Sequence, residues 1–165
     1  KHLVAEGADI TITDIHQDTL KRVSSEYGVK VVGLDEIYDV PMDIYAPCAL
    51  GATVNDDTIN RLKCSIIAGA ANNQLANEKI HGQLVKDKGI IYAPDFTLNA
   101  GGVINCYSEV AGLSPQWSMA KAEEIYTTIG NIVSRSSAEG VPTYQIANKI
   151  AEERIESIGK VKLPL

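Results

Sequence analysis

Five short apolar, β-branched runs, "ADITITD", "VKVVG", the start of "MDIYAPCAL", "CSIIAGA" and "GIIYAPD", punctuate the first 95 residues, and that alternation constrains the fold most strongly. Between the first two, "QDTLKRVSSEYG" places Leu20, Val23 and Tyr27 at helical spacing before Gly28 ends it. A short helical turn around "LDEIY" precedes the third. "NDDTINRL", with Asn55 as N-cap and acids in its first turn, predicts a helix before the fourth. "NEKIHGQLVKDKG" predicts another before the fifth. Strands alternating with helices specify an α/β chain with a doubly wound, mostly parallel sheet.

After Asp95 the pattern changes and no further strand is evident. Residues 100–111, roughly 116–138 and 144–158 read as helices. In the second, Ala122, Ile125, Tyr126, Ile129, Ile132 and Val133 make an apolar stripe, and Ser114-Pro115 is a good N-cap and N1 pair. The opposite end is unusual: "KHLVAEG" reads as the last turns of a helix closed by Gly7. A helix that short nucleates poorly alone. The expectation is a chain whose preceding strand and turn lie upstream of Lys1.

Composition limits the partners. The 45% apolar and 22% charged residues are ordinary for a globular domain, and no run approaches the roughly 18 apolar residues of a membrane span. Net charge is -6 with Lys and Arg scattered, which argues against a nucleic-acid surface. Cys48, Cys64 and Cys106 are an odd number without CxxC spacing, so neither a disulfide framework nor a zinc site is suggested, and a reducing cytoplasm fits.

In a doubly wound sheet ligands bind beyond the carboxyl ends of the strands. Asp14 ends "TITD", where an acid accepts hydrogen bonds from a ribose 2′-OH and repels the 2′-phosphate of NADP; the alternative is a helix cap or a solvated acid. In "YAPCALGATVN", Ala49, Gly51 and Ala52 let backbone approach a flat ligand, or form an ordinary turn. Cys48, with no predicted His nearby to activate it, reads as a small apolar residue. Asn72 and Asn73 follow small residues at the next strand end, and an uncharged carboxamide both donates and accepts. Capping or an Asx turn would use them equally well. Finally, "LNAGGVIN" sets two glycines at a helix entrance, although glycine costs about 1 kcal/mol against alanine inside a helix. After a strand end, such residues leave helix N-terminal N–H groups open to a ligand. His2, His16 and His81 have no carboxylate or Ser at triad spacing and read as structural or solvated.

Together "ITDI", "APCALG", "AGAANNQLA", "YAPDFTLNAGGVIN" and "PTYQIANKIAEERIE" resemble, in order and across essentially the whole chain, the Rossmann-like C-terminal domain of the amino-acid dehydrogenase family acting on glutamate, leucine, phenylalanine and valine. The leucine-type members are the nearest in motif. In that family a glycine-rich turn lies just upstream of the position of Lys1. The resemblance thus implies that residues 1–165 are a partial NAD-binding domain, with about 100–165 a C-terminal helical segment, and that an N-terminal catalytic domain is absent.

The resemblance also implies reversible, NAD-dependent oxidative deamination of an L-amino acid, leucine or another branched-chain one, to its 2-oxo acid and ammonia. Asp14 and Ile15 match the cofactor's adenosine-ribose contact, Cys48 and Ala49 a strand end along the cofactor, and Ala71 and Asn72 the nicotinamide side. Asn99, Gly101 and Gly102 match the loop and helix start over nicotinamide and substrate, while Val103 and Cys106, three apart on one helical face, match the substrate side-chain pocket. Cys106 stands where valine is usual. The family's catalytic lysines and aspartate match nothing here, and Lys1, Lys21 or Lys121 do not fill the role. The implied protein is therefore a homo-oligomeric enzyme of which this chain, alone, turns nothing over. A non-catalytic nucleotide-binding module and another Rossmann dehydrogenase are the alternatives.

Overall fold

The computed structural model describes residues 1–159. Its strands are short and all pair in parallel. β1 (Thr11–Ile12) pairs with β2 (Lys30–Val31), and β3 (Ile44–Tyr45), β4 (Ile66–Ile67) and β5 (Ile91–Tyr92) form a second sheet in that order. The expected parallel α/β arrangement is present, but as a two-stranded and a three-stranded sheet, with no pairing between β1 and β3 among the described residues.

Alternation along the three-stranded sheet decides what it buries. Tyr45, Ile67 and Tyr92 stand in register on one face and are buried, Ile67 completely. Val54, Ile59, Leu62, Leu75, Val85 and Ile90 close over them as the main core. Ile44, Ile66 and Ile91 form the opposite row, with Ile44 54% and Ile91 42% exposed. Burying a side chain such as Ile67 contributes about 1.5–3 kcal/mol.

The helices are α1 (His2–Ala5), α2 (Gln17–Tyr27), α3 (Glu78–Asp87), α4 (Asp95–Leu98), α5 (Gly101–Val110), α6 (Pro115–Glu139) and α7 (Thr143–Gly159), with a 3₁₀ turn at Glu36–Asp39. Their ends follow the sequence signals. Gly28 and Gly140 close α2 and α6 in the left-handed region at φ 68°, which costs glycine nothing. Ser114 Oγ accepts from Trp117 N–H at 3.2 Å with Pro115 behind it, as expected of that pair. α7 packs on α3, β5 and α6. The last six residues of the expected helical segment lie outside the described residues.

Two expectations need correction. Residues 55–62 form no helix, and 56–61 are hydrogen-bonded turns. Asn55 does cap them, its Oδ1 accepting from the N–H groups of Asp57 and Thr58 at 3.0 Å each. The segment is held at both ends by parallel bridges, Val54 to Leu75 and Pro41 to Lys63, and these long-range pairings override its local helix signals. In α6, Tyr126 is 89% exposed, so the buried line runs through Ile125, Ile129, Ile132 and Ser136 without it.

Candidate functional site

Three loops meet beyond the carboxyl ends of β3, β4 and β5. The β4 loop, residues 68–74, lies against the β3 loop through main-chain bonds: Ala71 N–H donates to Pro47 O at 3.0 Å and Ala52 N–H to Asn73 O at 2.7 Å. Glycine makes this approach possible. A Cβ on Gly69 would lie 2.1 Å from Pro47 O, and one on Gly51 2.7 Å from Asn72 O. Asn73 takes a left-handed φ of 52°, a conformation asparagine tolerates better than most residues.

Gln74 holds the β4 loop from within. Fully buried, it donates through Nε2 to the carbonyls of Gly69 and Ala71, while its own N–H donates to Asp95 Oδ2 at 3.3 Å. Asp95 begins α4, where Oδ1 also accepts from Phe96 N–H at 2.8 Å. Its N–H donates to Tyr92 Oη at 3.3 Å. Burial pushes the Tyr92 phenol above its ordinary range, with the Asp95 charge adding to the effect, so the phenol stays neutral.

α4 ends at Asn99, whose N–H donates to Asp95 O at 2.8 Å. Its side chain reaches back across the loops, donating to Asn72 Oδ1 at 2.5 Å and to Ala70 O at 3.3 Å. Ala70, Asn72, Phe96, Asn99, Ala100 and Val103 line a cleft of about 380 Å³. It offers two carboxamides, an aromatic ring and aliphatic groups. No lining residue titrates near neutrality, so the cleft can hold and orient a polar, uncharged group beside an apolar one but cannot itself move protons.

Of the residues singled out in sequence, Asn72, Asn99 and Val103 meet in this cleft. Asn72 neither caps nor forms an Asx turn; it pairs with Asn99. Ala71 is buried, with N–H and carbonyl both engaged in the loop. Gly101 and Gly102 open α5 with no atom within 4 Å of a Cβ on either, and their N–H groups, with that of Val103, stand ahead of α5's first bond, Ile104 to Ala100. Val103 and Cys106 share an exposed face of α5. Cys48 and Ala49 are exposed on the β3 loop, outside the lining. Asp14 and Ile15 lie at the end of β1 in the other sheet; Asp14 Oδ1 accepts from His16 N–H at 2.8 Å in a local turn ahead of α2, whose own N-cap is His16, and Ile15 is 70% exposed. Ala100 falls within the expected run from Asn99 to Gly102, whereas Phe96 and Ala70 were not anticipated, and "PDF" carried no signal beyond its place after a strand. The second strongly held side chain, His81, is structural: it bonds Asn77 N–H through Nδ1 at 2.8 Å and lies 3.2 Å from Asp56 Oδ1 through Nε2.

Residues 3–162 match the family described as Glutamate/Leucine/Phenylalanine/Valine dehydrogenase. The chain is 49% identical over 158 residues to a leucine dehydrogenase of Bacillus cereus, covering 96% of this chain and 43% of that protein. It is 48% identical over 162 residues to a leucine dehydrogenase of Thermoactinomyces intermedius, covering 98% and 44%. The crystal structure of L-tryptophan dehydrogenase from Nostoc punctiforme superposes with a TM-score of 0.93 at 40% identity, over 97% of this chain and 48% of that one. The chain thus spans less than half the length of these relatives.

Proposed function

Because this chain belongs to the Glutamate/Leucine/Phenylalanine/Valine dehydrogenase family, we propose that it is the NAD-binding part of an enzyme that oxidatively deaminates L-leucine or another branched-chain amino acid. The Asn72–Asn99 carboxamide pair in a cleft it shares with Phe96 and Val103 is the observation that carries this reading.

The residues fit a dinucleotide. The Thr13 hydroxyl, just ahead of Asp14, is buried without a partner among the described residues, as a polar ligand group there would require. Asp14 keeps one carboxylate oxygen beyond its bond to His16, available to a ribose hydroxyl. Ile15, Cys48 and Ala49 would flank the ligand. Ala71 fixes the loop that presents Asn72, which would face the nicotinamide carboxamide. When bound, NAD supplies the hydride acceptor for the amino acid's α-carbon. Asn99 and the open N–H groups of Gly101 and Gly102 would bind and orient the polar end of the substrate, and Val103 and Cys106 would receive its aliphatic side chain. Proton transfer needs titratable groups that the cleft lining lacks, and the family resemblance assigns them to another domain of the complete protein.

The two separate sheets support the partial-domain reading. In a strand order 3-2-1-4-5-6, β2 and β1 fit the places of strands 3 and 2 and β3 to β5 those of strands 4 to 6, and no described strand fills the place of strand 1 between them.

Incubation of the complete protein that carries this chain with L-leucine and NAD tests the assignment. Equal amounts of NADH, ammonia and 2-oxo acid are expected; NADH without ammonia would point to another dehydrogenase class, and no turnover with any L-amino acid would overturn it.

A further inference from the structure

We propose that Asp95 is the positioning residue that sets the Asn72–Asn99 pair, an inference that rests on the reading of that pair as the coenzyme and substrate contact. Its groups reach both halves of the pair. Oδ2 accepts from Gln74 N–H in the loop that presents Asn72, Oδ1 accepts from Phe96 N–H at the start of α4, and the main-chain carbonyl accepts from Asn99 N–H at the end of α4. One half-buried residue therefore ties two loops whose carboxamides must meet within hydrogen-bond distance.

The charge matters to this role. A carboxylate accepts from two N–H groups at once, whereas an asparagine there offers one acceptor and turns an amide N–H₂ toward the second donor. The Asp95→Asn change is nearly isosteric, so the core is unaltered and the damage falls on loop placement. Asp95 lies outside the lining of the Asn72–Asn99 cleft and faces a neighbouring one with Asn73 and Tyr92.

A double-mutant cycle in the complete protein tests it, with kcat and KM for the amino acid and NADH binding by fluorescence as readouts. Losing one bond to a charged acceptor is expected to lower kcat/KM by about tenfold. If Asp95 acts through the pair, D95N in an N72A/N99A background costs less than about twofold. A purely structural role would give equal losses in both backgrounds, and that result, or a D95N enzyme with wild-type kinetics while N99A is impaired, overturns the proposal alone. Wild-type kinetics for both N72A and N99A would instead overturn the reading of the site, and this inference with it. Should D95N not fold, the same cycle with Asp95→Glu, which keeps the charge but moves it by one methylene, is read in the same way.

Discussion

Asn99, at the end of α4, donates to the side chain of Asn72, 27 residues earlier in sequence, at the carboxyl end of β4. The contact joins the segment after β5 to the loop after β4, and α5, with its apolar face, starts two residues further on. A polar pair and an apolar helix face thus share one cleft wall.

Coenzyme choice is predicted to rest on Asp14. With one oxygen held by His16 N–H and the other available, its charge should disfavour a 2′-phosphate. Asp14→Ser in the complete protein should narrow the preference for NAD over NADP by about tenfold or more, roughly 1.4 kcal/mol. Parallel kcat/KM measurements with the two coenzymes check this; an unchanged ratio would leave Asp14 only its turn bond to His16.

Gly82 on α3 is predicted to resist substitution. A Cβ there would fall 2.5 Å from Tyr144 Cδ1, on the ring by which α7 packs against α3. Gly82→Ala gains up to about 1 kcal/mol of helix propensity, but overpacking typically costs about 1–3 kcal/mol. Net destabilisation is expected in urea unfolding, and a raised midpoint would mean that the α3–α7 contact yields easily.

Acid sensitivity is predicted at Arg61, which bonds the Asp35 and Asp39 carboxylates at 2.7 Å each and stacks on Tyr38 with 5.4 Å to the ring centroid. Its hydrogen bonds hold both carboxyl groups below their ordinary range. A depressed folded-state pKa adds stability above the unfolded value, about 4, and that stability is lost as pH falls through the folded-state values. Arg61→Gln should therefore lower Tm at neutral pH and flatten its decline below about pH 4; parallel Tm–pH curves for the two proteins would argue against the pairing. Both acids are exposed, so the effect should shrink in high salt.

Local rules made much of this fold legible in sequence. The caps at Gly28 and Ser114 lie where expected, because capping depends on a few adjacent residues. Residues 55–62 depart from the expected helix because the bridges at their two ends, to Leu75 and Pro41, override local helix signals, and those partners are not adjacent in sequence. Tyr126 fits a helical stripe by spacing alone, yet burial is decided by what packs on α6. At the site, strand-end position was enough to single out Asn72 and Asn99. Their pairing, and the reach of Asp95 to Gln74, depend on how β4 and β5 align in register, which no local pattern encodes.

The central claim is that the Asn72–Asn99 cleft carries coenzyme and substrate recognition, and steady-state kinetics of N72A and N99A in the complete protein test it most directly. Removing one partner of a polar contact costs about 1–3 kcal/mol, so kcat/KM for the amino acid should fall about 10- to 100-fold in each variant with Tm nearly unchanged. Wild-type kcat/KM in both variants would contradict it.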